Sequence, residues 1–373
     1  MNIRTVGILG AGTMGAGIAQ NVIEHGLSAV VMDADPAQLQ RAVATIERML
    51  ARGVEKGRID AAGAAAIRAR LATTAELARI AANDLVIEAV FEDFAVKRVL
   101  YQRLAPLLAA GTLVATNTSA LSVDELAEFV PDPARFLGLH YFSPAAVNRL
   151  VEVVRGARTA PAAYDRALAF VGATGKQALA CRDGLGFAVN RFFCPYTNEA
   201  TRLHDEGHDP AAIDQVARAS FAAPLGPFAV MNLTKPRIAL HAQRSLARLG
   251  AFYAPSRSLE RVGEAGGSWT LADPPPAPDP AARALIADRL RAATFLPVLQ
   301  LVGEGIAEAA DVDLGARVAL RWDDPPVAQM DRLGRDAVAG MLRPLLKRYE
   351  IESPAALIRV GTLGLRSGAA ANS

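Results

Sequence analysis

Over roughly the first 140 residues, short apolar runs alternate with stretches of helical periodicity. "VGILG" begins at Val6 and a helix follows. "AVVMD" begins at Ala29 and precedes a long helix from Pro36 to about Lys56. "DLVIEAV", "TLVATN" and "RFLGLHYF" come next, with helical stretches between them. Strands rich in branched residues, separated by helices, predict a parallel sheet with helical crossovers. From Leu185 onward the pattern becomes almost wholly helical, and the prolines of "LADPPPAPDP", Leu271 to Pro280, read as a linker.

The chain has 373 residues, of which 51% are apolar and 21% charged, enough to bury a large core divided into two or three domains. With a net charge of +2 and no Lys/Arg block of five, no nucleic-acid footprint is visible, so a small-molecule partner is expected. Cys181 and Cys194 stand thirteen apart with no CxxC or His spacing, which speaks against a disulfide framework and against a structural zinc and fits a reducing compartment, and no metal is expected. The charge-free stretch Thr5 to Ile23 carries five glycines and polar Thr, Gln and Asn, and so suits a packed turn better than a membrane span. No targeting segment is apparent, and a cytoplasmic protein is expected.

Gly10, Gly12 and Gly15 form GxGxxG directly after the first apolar run and at a helix start, where a dinucleotide pyrophosphate can rest on the helix N-terminus. Gly10 makes the turn, Gly12 lets backbone approach phosphate, and Gly15 lets helix pack on strand. Thr13 and Met14 belong to the same cofactor-binding turn. Asp33 ends the second run eighteen residues after Gly15, where a carboxylate can accept from both adenosine ribose hydroxyls and repel a 2′-phosphate. NAD is the cofactor expected, on a Rossmann-type α/β domain.

Of five histidines, His140 closes "FLGL" and should emerge at a strand end, the place for a proton acceptor. Twelve residues on, Glu152 sits among the apolar residues of "LVEVV" and needs a partner. A His140–Glu152 pair would fix the imidazole tautomer. A satisfied core histidine and a glutamate on an exposed strand face are the alternative.

"VGILGAGTMGAGIAQ", "VIEAVFEDFAVK", "NTSALS", "GLHYFSPAAVNRLVEVV" and "GFAVNRFFCPYTNEA" together resemble the 3-hydroxyacyl-CoA dehydrogenase family, in the family's order and over residues 1 to about 240. The resemblance implies that His140 is the catalytic base and Glu152 its orienting partner, with Ser119 and Asn190 donating to the reacting oxygen. It also implies that Glu92, Lys97 and Ser119 line the nicotinamide half of the cofactor, with Asp33 on the ribose. Structural alternatives are a solvated Glu92–Lys97 helix pair, Ser119 as a cap ahead of "VDEL", and Asn190 as a cap before Arg191. Three departures stand out. Ser143 replaces the family's usual Asn beside the cofactor, Asn232 and Lys235 stand where Asp and Gly are commoner, and "SLERVGEAGGSWTL" replaces the usual segment after the first helical module. On the long helix, Arg48, Arg52 and Lys56 recur every four residues and share one face, which could meet the phosphates of coenzyme A or simply face solvent.

The helical part repeats. Arg191 matches Arg289 and Glu206-Gly207 matches Glu304-Gly305, both 98 residues on, and after one inserted residue Pro227, Met231 and Asn232 match Pro326, Met330 and Asp331. The expected organisation is a nucleotide domain over 1–184, a helical module over 185–270, a linker over 271–283, a second module over 284–350 and a tail over 351–373. Multifunctional family members similarly carry two such modules. The expected fold class is an α/β Rossmann-type domain followed by an all-α region of two tandem modules. The expected activity is NAD-dependent oxidation of an (S)-3-hydroxyacyl-CoA by a monomer or homodimer. Oxidation of a CoA-free 3-hydroxy acid, or NAD(H) binding without catalysis, are the alternatives.

Overall fold

The computed structural model describes residues 3–365, so the first two residues of the expected nucleotide domain and the last eight of the expected tail lie outside the described residues. Two compact units divide between Asp183 and Gly184.

The first unit runs β1 (Thr5–Leu9), α1 (Thr13–Glu24), β2 (Ser28–Met32), α2 (Pro36–Glu55), α3 (Ala61–Arg68), β3 (Leu71–Thr74), α4 (Leu77–Ala81) and β4 (Leu85–Glu88). It continues with α5 (Phe94–Leu104), β5 (Leu113–Thr116), α6 (Val123–Leu126), β6 (Phe136–Tyr141), β7 (Leu150–Arg155), α7 (Pro161–Ala173) and β8 (Gln177–Arg182). The strands form one sheet in the order β3-β2-β1-β4-β5-β6-β7-β8. Strands β4 and β5 are buried along their whole length, as befits a sheet covered by helices on both faces. Val6 and Ile8 of β1 pack with Ile18 and Val22 of α1 and Ile87 of β4 in the main core.

The strands expected over the first 140 residues, β1, β2, β4, β5 and β6, all pair parallel, and the sheet continues with β7, which pairs antiparallel to β6. Only residues 142–149 join them, too few for the crossover a parallel pair requires. This hairpin sets His140 of β6 directly opposite Glu152 of β7. Strands β3 and β8 had no clear signal. The first is four residues, and the second alternates half-buried with buried positions instead of forming an apolar run.

The second unit is helical: α8 (Val189–Asp205), α9 (Pro210–Phe221), α10 (Pro227–Thr234), α11 (Pro236–Leu246), α12 (Arg257–Ala265), α13 (Pro280–Gly303), α14 (Ala309–Ala319), α15 (Pro326–Leu333) and α16 (Arg335–Tyr349). Helix α13 begins inside the segment expected as linker. Pro280 opens it, and Asp279 accepts from the Ala282 N–H at 2.8 Å, so the proline run ends as a helix cap.

Two carboxylates make similar bonds. Asp214 on α9 accepts from the Phe228 and Ala229 N–H groups at 2.8 and 2.9 Å, and Asp313 on α14 accepts from those of Val327 and Ala328 at 2.8 and 3.0 Å. Each carboxylate thus caps the next helix of its own copy. Helices α8 and α13 pack together, and their charges are exchanged reciprocally. Arg191 bridges Glu304 at 2.7 Å, while Arg289 bridges Glu206. Residue i meeting j′ while i′ meets j is the signature of a two-fold relation. Here the relation is internal to one chain.

Candidate active site

The glycine turn is shaped by close backbone approach. Gly10 has φ +102°, and a Cβ there would stand 2.6 Å from the Ala89 carbonyl oxygen. A Cβ on Gly15 would fall 1.9 Å from the Gly10 carbonyl oxygen, so α1 can lie against the turn only if that residue is glycine. Gly12 differs, because a Cβ there would meet nothing within 4 Å. It is the N-cap of α1 and supplies no side chain to the first-turn N–H groups, which suits a bound pyrophosphate. Thr13 is exposed, whereas Met14 is half-buried against the core.

Asp33 follows β2 directly. Its Oδ2 accepts from the Ala11 N–H at 2.8 Å and its Oδ1 from the Asp35 N–H at 3.0 Å, so the carboxylate braces the glycine turn. A carboxylate has about four lone-pair sites, which leaves capacity for a ribose.

Beyond β4 and β5 lies a buried charge network. Lys97 Nζ donates to Glu88 Oε1 and Oε2 at 2.9 and 3.0 Å and to Glu92 Oε2 at 2.9 Å. Glu88 also accepts from the Val90 N–H, the Tyr101 hydroxyl and the Thr116 hydroxyl at 2.8 to 3.0 Å. Glu92 Oε1 accepts from the Thr118 hydroxyl at 2.6 Å and from the Ser119 and Ala120 N–H groups at 2.7 and 3.1 Å, which holds the loop carrying Ser119. Burial alone would raise the Glu92 carboxyl, but Lys97 and the Thr118 hydroxyl outweigh it and the group lies below its ordinary value. Burial would likewise lower Lys97, and the two glutamates outweigh it, so its ammonium lies above its ordinary value.

Glu92 and Lys97 are therefore not a solvated helix pair. Ser119 is not the cap of α6 either: Ser122 holds that place, accepting from the Glu125 N–H at 3.1 Å. Sequence reasoning missed Glu88, which "VIEAV" presents as one polar position in an apolar strand. A carboxylate at such a position requires a buried cation, and Lys97 nine residues on was the available signal.

His140 Nδ1 lies 2.6 Å from Glu152 Oε2, with the glutamate fully buried. The carboxylate accepts a hydrogen bond from Nδ1–H, which places the lone pair of a neutral imidazole on Nε2. Asn117 was also overlooked. Its Oδ1 accepts from the Tyr141 N–H at 2.8 Å, tying the end of β5 to the backbone beside the histidine.

Ser143 is exposed on the β6–β7 connection. Lys176 Nζ donates to the carbonyls of Ala145 and Asn148 at 2.7 Å each and splints that connection. Burial pushes this ammonium down to about 8. Arg48 and Arg52 on α2 and Lys56 just beyond it are exposed, and none is in an ion pair among the described residues. Asn190, in the other unit, is the second residue of α8 and half-buried; Ala188 holds the N-cap position.

The unusual Asn232 has a structural partner, donating to the Trp269 carbonyl at 2.8 Å and accepting from its N–H at 3.0 Å. Asp331, its match in the repeat, accepts from the N–H groups of Gly361, Leu363 and Gly364. Both copies thus anchor the segment that follows them. Among the described residues no cluster could hold a metal ion.

A family model described as 3-hydroxyacyl-CoA dehydrogenase, NAD binding domain, matches residues 5–184, and one for the C-terminal domain matches 186–268. The 3-hydroxyadipyl-CoA dehydrogenase of Escherichia coli K12 is 37% identical over 62% of this chain, which spans about half of that relative, 49%. A probable 3-hydroxybutyryl-CoA dehydrogenase of Bacillus subtilis is 33% identical over 62% of this chain and 81% of its own length. The solved (S)-3-hydroxybutyryl-CoA dehydrogenase of Ralstonia eutropha is 32% identical with TM-score 0.69, covering 73% of this chain and all of the other. The solved 3-hydroxybutyryl-CoA dehydrogenase of Escherichia coli K12 has TM-score 0.86 over 98% of this chain and 99% of its own, at 24% identity, and speaks to the fold. A dinucleotide turn, a buried His–Glu pair and both domain matches in family order lead to one conclusion: the chain belongs to the 3-hydroxyacyl-CoA dehydrogenase family of NAD-dependent oxidoreductases.

Proposed function

We propose that the chain oxidises the C3 hydroxyl of an (S)-3-hydroxyacyl-CoA to the 3-oxoacyl-CoA, with His140 as the base. The carrying observation is the 2.6 Å contact between His140 Nδ1 and Glu152 Oε2. Nε2 accepts the hydroxyl proton, and Glu152 balances the imidazolium that results. Ser119, on a loop held by Glu92, donates to the substrate oxygen, and Asn190 keeps the role of second donor that the family resemblance gives it. NAD, held by the glycine turn and Asp33, would supply the acceptor for the C3 hydride. Gly10, Gly12, Thr13, Met14, Gly15, Asp33, Glu92, Lys97, Ser119 and Ser143 form its proposed contact set, and exposed Arg48, Arg52 and Lys56 the proposed contact for coenzyme A.

We read the helical unit as two tandem modules, and the protein as a cytoplasmic monomer or homodimer. Both cysteines are buried and neither is in a disulfide, as a reducing compartment allows, and no described helix is long and apolar enough to cross a membrane. The test is NADH oxidation with acetoacetyl-CoA beside free acetoacetate. Turnover of the thioester and at least about a hundredfold lower kcat/KM for the free acid are expected, a difference of about 2.7 kcal/mol in transition-state binding. Equal use of both would assign the enzyme to CoA-free acids, and turnover of neither would reject the reading.

A further inference from the structure

Glu88, Glu92 and Lys97 are in direct contact and carry two negative charges and one positive, so the cluster is left with one negative charge. The surplus is buried. Side-chain exposure is 0% for Glu88, 1% for Lys97 and 22% for Glu92. A triad that served packing alone would need one carboxylate per ammonium, and a buried surplus charge is costly unless hydrogen bonds satisfy it. Here they do. Val90, Tyr101 and Thr116 donate to Glu88, and Thr118, Ser119 and Ala120 donate to Glu92.

The position of the surplus gives it a use. In a sheet of this order a dinucleotide crosses the carboxyl edge where strand order reverses, between β1 and β4. Asp33 beyond β2 takes the adenosine side, so the nicotinamide side falls over the ends of β4 and β5. Those ends carry Glu88, Glu92 and Ser119. Hydride and proton leave adjacent atoms of one substrate, so the ring must also share that substrate with His140 at the end of β6. The oxidised ring carries a positive charge and the reduced ring none, and a fixed charge beneath it distinguishes the two forms.

We infer that the Glu88–Lys97–Glu92 triad biases the coenzyme site toward the oxidised dinucleotide, and that Glu88, bonded on both oxygens and wholly buried, is the positioning residue that maintains its surplus charge. This rests on the coenzyme reading given above. Because the charge lies out of water, salt screens it little, unlike a surface charge.

The test measures dissociation constants for NAD⁺ and NADH separately, without acyl-CoA, at low and high salt. Glu88→Gln should raise the ratio Kd(NAD⁺)/Kd(NADH) about tenfold at both salt concentrations. Tyr101→Phe, which removes a hydrogen bond to Glu88 but no charge, should leave the ratio within about twofold. Equal changes in both constants, an unchanged ratio, or an equal shift in Tyr101→Phe would overturn the inference. If Glu88→Gln does not fold, Glu92→Gln removes the same charge and must move the ratio in the same direction. Wild-type protein that binds neither form would instead reject the coenzyme reading itself.

Discussion

An imidazole can serve as a base at one nitrogen only if the other is held, and Glu152 holds it across a single β-ladder. Two residues that act as one unit should lose activity as one unit. His140→Ala is expected to lower kcat by about 10² to 10⁴ with NADH affinity nearly unchanged, and the double variant with Glu152→Gln should be little worse. Steady-state kinetics on the four proteins check this; multiplicative losses would mean that the two side chains act separately. The pair was legible as a histidine at the end of one apolar run and a glutamate inside the next. What could not be read was that the runs are antiparallel neighbours, because register depends on the short connection and not on either strand. Asn117 was invisible for a related reason, since only the sheet brings its partner Tyr141 near, whereas Glu88 had its signal in Lys97 nine residues on.

Helices show the same limit from another side. The first copy's α9 and α10 and the second copy's α14 and α15 were recognisable by pattern, but the Asp214 and Asp313 caps joining them were not. Their bonds span 14 and 15 residues, outside any local helix-cap rule. Burial raises both carboxyls from 3.8 to about 6 despite two N–H bonds each. The native state therefore binds more protons than the unfolded chain between those values. The resulting stabilisation is complete below about pH 4 and is lost as pH rises through about 6. The double variant Asp214→Asn/Asp313→Asn lacks this dependence. Its Tm relative to wild type should rise by a few degrees, roughly 2 to 6 °C, between about pH 4.5 and 7. Calorimetry across that range checks it, and parallel curves would show that the two carboxyls titrate normally.

For the molecule as a whole, the proposed second helical module carries the expectation to be tested. Asp288, at the position matching Asn190, is half-exposed and ion-paired with Arg291; a carboxylate at neutral pH donates no hydrogen bond to a substrate oxygen. Asp288→Asn should leave kcat within about twofold of wild type. The copy's buried face, with Leu290, Phe295, Val298 and Leu299, packs on α8 and its neighbours. A chain ending at Asp273 would uncover that face and should dimerise or aggregate in light scattering while keeping the glycine turn and His140. A stable, fully active monomer would show that α13 to α16 do not serve as a cover.

The reciprocal bridges Arg191–Glu304 and Arg289–Glu206 have one more consequence. When two such surfaces belong to separate chains, every inherited change appears twice and the pairing weakens as the solution is diluted. Joined by the segment between α12 and α13, they stay at a fixed effective concentration however scarce the protein is. Each bridge can then also change without its twin.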